Sequence, residues 1–568
     1  MYLKNTVINR PKETKIQRNG STRYVYYVTA TTYYADRKYN MDQRVSIGKM
    51  VDGSDTQMIP NENFEKYFPS VLSQVQNYPE PPVFSLTLHV GATVIERKIA
   101  ERNGLSQILL NIYGPEICSD ILNVVTFILT DESAVFQHYP SFMRSHLQIG
   151  KSIRSDSYIS SRLLHREITD DRIIEMLRQW NKLHINTGQI YIGCDSSNFN
   201  SEAEGIELAQ MGHAKDDPTK PQVNLAVAIS QDDDTPLSYD LFPGSIIDMT
   251  ECEQLVSQMY DYGYRDIGLL FDRGYFSEDN VRYLDELGYP FMMMLREDEK
   301  FVSELILDTL PNLKDHVECY LDGMEIFGLT VSKELYEKYR QFHIYYDEVK
   351  ASYSKRRFLN ELSATEHSLQ DLVGTKLRKN ANLSSYRCWF ALDIDKKTNI
   401  LTGFSRRMDR ITKRLSLAGT FVIMTTEEMS PDKALSTYRG RDNIEKFFRS
   451  IKTGMDFDTP GVHDQVSLAA KIHLMFIAGI IRNELQQTSK KIKEATKNKK
   501  CFTVSAMIDD LDQIECTAYE SGLYRRRFAF TARQKLIFKY LDIQESIVDT
   551  EIENFNSLKP LAGLSYKS

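Results

Sequence analysis

The most constraining feature of this chain is a run of short apolar segments between residues 187 and 300, each closed by a turn signal or an acid. QIYIGC reads as a strand ending at Asp195. VNLAVAI (223–229) and LSYDLF (237–242) read as two more, joined by the polar turn QDDDTP. A helix is expected from about Met249 to Tyr262, then the strand IGLLF (267–271), which ends at Asp272 and is followed by the permissive Gly274. Ser277 is placed to cap a helix over SEDNVRYLDEL that Gly288 closes, and YPFMMML is a further strand. Three strands in a meander followed by alternating helices and strands define an α/β sheet with helices packed against it.

The rest of the chain arranges itself around this block. At 568 residues it exceeds what one core can organise, so several units are expected. Residues 1–85, rich in Tyr, Thr and Val, predict a small β-rich unit with a hairpin, and 86–186 turn helical. Residues 187–300 form the first part of the α/β core, and 301–418 read as an inserted subdomain with strand-like pieces (QFHIYYDEV, YRCWFALDID) and a basic helix. The α/β pattern resumes over 419–484 with TFVIMTT, and 485–568 is helical and basic in patches.

Within that resumed segment, YRGRDNIEKFFRSIK spaces Tyr438, Arg441, Glu445 and Lys452 at offsets of 0, 3, 7 and 14. At roughly 100° per residue these offsets fall at about 0°, −60°, −20° and −40°, one stripe of a helix. Gly440 and the Ser430-Pro431 start signal predict a bend that sets Tyr438 apart from the other three. Asp195 and Asp272 end apolar strands, and carboxylates at strand ends can converge at one sheet edge. Glu445, on a helix beside that sheet, is placed to join them. Such a cluster repels itself without a cation, and a few hard oxygen ligands with open positions suit Mg²⁺ or Mn²⁺. Two such ions can drive phosphodiester transfer. Composition alone does not choose these acids over Asp240, Asp248, Asp266, Asp393 or Asp395.

Bulk composition sets only broad limits. The seven cysteines are scattered without a C-x-x-C pair, which argues for reduced thiols in a cytosol over a disulfide frame or zinc site. The N-terminus carries no apolar signal region, and the run IHLMFIAGII falls short of a membrane span, so a cytoplasmic protein with no membrane partner is expected. The formal net charge of −8 hides a local excess: residues 401–500 hold 19 Lys+Arg against 11 Asp+Glu. Local positive fields count for more with DNA than the whole-chain sum.

Three segments taken together, CDSSNF, FDRGYF and YRGRDNIEKFFRSIK, closely resemble the DDE transposases of bacterial insertion sequences, the type with a Y-x2-R-x3-E-x6-K signature. The resemblance spans about 187–300 and 420–480, with a weaker likeness around RVSIGKM. It implies an RNase H-like catalytic core interrupted by a β-rich insertion, with an N-terminal β-rich and helical DNA-binding region and a helical C-terminal region. It further implies two Mg²⁺ or Mn²⁺ ions held by Asp195, Asp272 and Glu445. The implied activity is cleavage of double-stranded DNA at terminal inverted repeats and joining of the freed 3′ ends to target DNA, by a homodimer on DNA. Carried over by position, Tyr438, Arg441 and Lys452 would hold DNA phosphates.

Further candidates surround this set. Trp389, one of two tryptophans, lies in the expected insertion, where hairpin-forming relatives stack an aromatic on a flipped base; burial preference favours the core of that unit as its place. Arg273 beside Asp272 suits a phosphate or an acid, His213 and Lys215 lie in a loop of the family-like segment, and His473 on an apolar helix reads as a core histidine. Two other readings share these residues: a DNA-binding regulator derived from a transposase, and an RNase H-like nuclease that never joins strands.

Overall fold

The computed structural model describes the chain except residues 1, 4–5, 35–38, 73–74, 76–85, 149–152, 186–189, 195, 213–218, 231–233, 246–247, 378–382, 458, 497–501, 519–522 and 559–568. It is a mixed α/β protein. At its centre is a seven-stranded sheet in the order Tyr320–Leu321, Ile326–Leu335, Lys338–Tyr346, Thr420–Thr425, Phe291–Leu295, Ile267–Phe271, Ile190–Cys194. The last three strands in that order run parallel, as strands joined through helices do, and the remaining pairs are antiparallel. Ile267–Phe271 is buried along its whole length, which is why its sequence is a continuous apolar run without alternation.

The local signals act as expected in this block. Ser277 Oγ accepts the Asn280 N–H (3.2 Å), and Gly288 closes the helix Glu278–Leu287 at φ 74°. The strands at 223–229 and 237–242 differ from expectation in their partner. Gln222–Ile229 lies between Ser196–Asn200 and Pro236–Pro243 in a separate three-stranded antiparallel sheet, so the chain has left the central sheet by Ser196.

The stretch 301–418 divides in two. Its strands Ile326–Leu335 and Lys338–Tyr346 add to the central sheet, the second pairing directly with Thr420–Thr425. What remains has its own small core, Phe358, Leu362, Leu369, Phe390, Leu401 and Ile411. It is built from the helices Glu348–Leu372, Ser384–Trp389 and Met408–Ser416 with one hairpin, Phe390–Ile394 with Leu401–Arg406. This detached part is more helical than β-rich, a correction to the expected insertion. Of the insertion's two strand-like pieces, QFHIYYDEV joins the central sheet and only YRCWFALDID supplies a strand, Phe390–Ile394, to the detached part.

N-terminal to the core, a five-stranded sheet with the long hairpin Thr22–Tyr34 and Tyr39–Met50 precedes a helical layer that includes Leu105–Thr130. The helix Gln465–Thr496 runs through the middle of the molecule and crosses the boundary expected at 484/485. This helix and Leu105–Thr130 are long and apolar enough to cross a bilayer, but 83% and 72% of their apolar windows lie buried inside the protein. They are core helices, apolar all round because they are surrounded.

Candidate active site

Asp272 follows the buried strand Ile267–Phe271 with extended backbone, and its Oδ1 accepts the N–H of Arg273 (2.7 Å). In the parallel neighbour, Cys194 stands opposite Phe271, so the strands preceding Asp272 and Asp195 end level at one edge of the sheet. Asp195 itself lies outside the described residues, as do His213 and Lys215.

Glu445 is in the first turn of the helix Asp442–Lys452, where the positive end of the helix dipole favours an acid. Ile444, Phe447, Phe448 and Ile451 bury the opposite face, and Phe447 lies against the long helix at Gly479 and edge-on to Phe476. A Cβ at Gly479 would stand 2.6 Å from Phe447 Cε2, so a glycine is what lets these two helices approach this closely. From the other side, Asn443 donates to Asp234 Oδ1, a residue of the QDDDTP turn that also accepts Gln487 Nε2 (2.5 Å) and Lys490 Nζ (2.8 Å). The helix is thereby held on two faces while Glu445 remains 47% exposed at its side chain.

Arg441 joins the two acids. The residue is 8% exposed, with Nη1 3.1 Å from Asp272 Oδ1 and Nη2 donating to Glu445 Oε1 at 2.6 Å. Nη1 also donates to Tyr438 Oη (3.3 Å), and the Tyr438 hydroxyl donates to the Phe271 carbonyl (3.3 Å). Burial pushes the Tyr438 hydroxyl up to about 12, against the opposing pull of Arg441, so it stays a neutral donor. The helix does break at Gly440, but Gly440 (φ −57°) and Arg441 (φ −57°) keep right-handed dihedrals. The turn tightens through i to i−3 hydrogen bonds, Gly440 N to Thr437 O and Arg441 N to Tyr438 O, without changing face. Tyr438, Arg441 and Glu445 therefore remain one stripe, with its first two members turned inward.

The other candidates separate. Lys452 is half-buried two turns beyond Glu445, with its Nζ 5.4 Å from the centre of the Phe199 ring on the strand that follows Asp195. Arg273 is exposed, and its charge acts on Glu297, which also pairs with Arg414 Nη1 (3.3 Å) of the detached subdomain. Glu297 follows the strand Phe291–Leu295 at the same sheet edge. Its signal, an acid just past an apolar strand, is the one that marked Asp272, and sequence reasoning passed over it. Trp389 lies half-buried edge-on to Phe358 (4.8 Å, 67°) within the core of the detached subdomain. His473 is fully buried between Tyr113 Oη (3.5 Å) and Tyr239 Oη (3.1 Å), and burial lowers it to about 3. It is a core histidine.

A helix-borne acid and a strand-end acid joined by one buried guanidinium, beside a second strand ending level with the first, define a carboxylate site on an α/β sheet. The transposase DDE domain family model matches residues 194–480, just over half of the chain, a span that includes Asp272, Tyr438, Arg441, Glu445 and Lys452. The chain belongs to that family: it is a transposase. Comparison with the curated proteins gives no match.

Transposases of this family act on DNA and generally use divalent metal ions. The donor set fits such an ion. Asp272 is 39% exposed at its side chain, and neither its Oδ2 nor Glu445 Oε2 takes a protein donor among the described residues. Hard carboxylate oxygens with open approach are the ligands Mg²⁺ and Mn²⁺ take.

Proposed function

We propose that this transposase cuts DNA at the terminal inverted repeats of an insertion sequence and joins the freed 3′ ends to target DNA. The reaction runs at Asp195, Asp272 and Glu445 on an RNase H-like core. The observation that carries this reading is the Arg441 bridge between Asp272 and Glu445, acids 173 positions apart in sequence. These three acids would hold two Mg²⁺ or Mn²⁺ ions, which when bound supply an activated water or 3′-hydroxyl and stabilise the leaving oxygen. Arg441 offsets part of the repulsion between the acids and fixes their separation, while Tyr438 braces the guanidinium from beneath. Lys452 and the exposed Arg273 lie where a DNA backbone would pass, Lys452 as a point charge. Trp389 serves the detached subdomain's core and, at its half-exposed edge, can stack on a base. Regions 1–85 and 86–186 contribute DNA binding, and two copies pair the two ends in a homodimer on DNA.

The test uses duplex DNA containing the sequence that flanks the coding region, with Mg²⁺. Asp195→Ala, Asp272→Ala and Glu445→Ala should each abolish nicking while leaving salt-sensitive DNA binding intact. Full cleavage by all three variants refutes the site. Cleavage without joining to a supercoiled target refutes strand transfer and leaves a nuclease. Trp389→Leu against Trp389→Phe separates packing from stacking: a loss of base-dependent cleavage in the Leu variant, which fills the core without an aromatic face, that the Phe variant largely avoids supports stacking, and equal activity of the two excludes it.

A further inference from the structure

A second cluster with ligand chemistry lies outside the matched family span. His89 ends the short strand Thr87–His89, His146 follows the helix Tyr139–Ser145, and Asp512 ends the helix Val504–Asp512. The backbones of His89 and His146 are bridged side by side, and their ring centres are 4.9 Å apart. Two imidazoles on one tetrahedral ion have centres roughly 5 Å apart.

His146 is more than nine-tenths buried, and its protonation is fixed on one side. Nδ1 faces the Phe142 carbonyl at 2.7 Å, and since a carbonyl only accepts, Nδ1 carries the hydrogen. In the neutral ring Nε2 is then a lone pair, with Asp512 Oδ1 3.2 Å away. Two acceptors in that position repel. Neither atom makes a hydrogen bond among the described residues, because the two are not in line with each other. His89 Nδ1 stands 3.3 Å from the other oxygen, Asp512 Oδ2. Ligands at about 2.0–2.1 Å from a tetrahedral zinc ion are themselves about 3.3 Å apart, so the separation of His146 Nε2 from Asp512 Oδ1 matches an edge of one coordination shell. An Nδ1–H donating to a backbone carbonyl is also the second interaction that orients zinc-bound imidazoles. The surroundings favour a cation: Glu515 Oε1 lies 3.9 Å from His89 Nε2, and Asp131 and Asp509 are close enough to feel Asp512.

We propose that His146 Nε2, the Asp512 carboxylate and His89 form a structural zinc site that staples the region before the transposase domain to the region after it. His146 and Asp512 are preset. His89 now donates from Nδ1 to the Asp512 carbonyl (2.8 Å), and with a third of its side chain exposed it has room to turn and give its nitrogen to the ion. A water completes the four ligands. The staple joins positions 423 apart, His89 and Asp512, without a cysteine.

The experiment uses the full chain carrying Asp272→Ala and Glu445→Ala, so that the transposase carboxylates do not compete. Titration with Co²⁺ should give the visible absorption bands of a tetrahedral ion at one equivalent, displaced by Zn²⁺, and Zn²⁺ should raise the unfolding midpoint relative to EDTA. His146→Ala should weaken binding by roughly 100-fold or more. Should that variant not fold, His89→Ala, at a more exposed position, carries the same test with at least a tenfold loss expected. Absence of stoichiometric binding, or binding unchanged in the foldable variant, overturns the proposal and leaves a protonated His146 paired with Asp512.

Discussion

Gly479 offers a way to displace Glu445 without touching the site. Gly479→Ala would place a methyl 2.6 Å from Phe447 Cε2 and 2.8 Å from Cζ. Carbon contacts settle at about 3.5 Å, so the helices 442–452 and 465–496 must part by ~1 Å. The Phe447 ring has nowhere else to go: it is 5% exposed among Leu225, Val227, Tyr239, Ile451, Met475 and Phe476, which leave no water-sized void. Overpacking of this kind costs about 1–3 kcal/mol, and replacing a helical glycine by alanine returns about 1 kcal/mol. The net loss of stability is therefore small, on the order of 1 kcal/mol. The loss of rate is not small, because Glu445 lies two residues from Phe447 and a displacement of about 1 Å at a reacting group costs on the order of 100-fold. Single-turnover nicking of end-containing DNA in Mg²⁺, with the unfolding midpoint and DNA affinity measured alongside, should show a large fall in rate with little change in the other two. Adding Phe447→Leu, which shortens the side chain, should restore much of the rate. A single variant within about threefold of the wild type, or a loss that Phe447→Leu leaves untouched, refutes the claim that this contact sets the position of Glu445.

Other expectations follow from the same geometry. Arg441→Lys keeps the charge but cannot reach Asp272, Glu445 and Tyr438 together, so at least one charge-assisted bond is lost. Such bonds are worth about 1.5–3 kcal/mol when buried and less here, with both acids partly exposed; nicking at saturating DNA should fall by roughly tenfold, and an unaffected rate would exclude the bridging role. Asp234→Ala removes the acceptor shared by Asn443, Gln487 and Lys490, and should slow nicking and lower the unfolding midpoint together, whereas a change in affinity for DNA alone would contradict a positioning role. His343 and His473 are held neutral by burial, at about 4 and about 3. Between those values and the unfolded value near 6.5 the unfolded chain binds more protons, so stability is full above about pH 6.5 and declines as pH falls toward 4. His473→Gln should reduce that slope in unfolding midpoints taken between pH 7 and 5, and an identical slope would assign the loss to other groups.

What the sequence disclosed and what it withheld divide along the range of the interactions. Ser277 and Gly288 act within one helix, and the runs 223–229, 237–242 and 267–271 are strands on local composition, so each is readable residue by residue. The partners of those strands are not local. QFHIYYDEV looked like part of an insertion because about 45 residues separate it from the preceding core strand, yet pairing with Thr420–Thr425 makes it part of the central sheet. Ser196–Asn200 escaped notice because SSNFN has no strand-like composition, and only its neighbour Gln222–Ile229 makes it one.

The stripe of Tyr438, Arg441, Glu445 and Lys452 is the instructive intermediate case. Helical periodicity correctly put Tyr438, Arg441 and Glu445 together, and the tight turn at Gly440 preserved that grouping against the expected bend. Periodicity could not say which way the stripe faces. Tyr438 and Arg441 are buried against the strand end of Phe271–Asp272, so a guanidinium expected to meet DNA phosphate is engaged with the two acids. That orientation changes how Arg441 would reach a phosphate. A strand entering the site would have to draw Nη1 or Nη2 away from a carboxylate, which is favourable only once cations have taken over neutralisation of Asp272 and Glu445. On the proposed mechanism, metal loading and phosphate capture by Arg441 would thereby be coupled. DNA affinity of the Arg441→Lys variant should accordingly match the wild type in EDTA and fall below it only in Mg²⁺. A deficit of equal size in both conditions would mean that Arg441 meets the backbone independently of the acids it bridges.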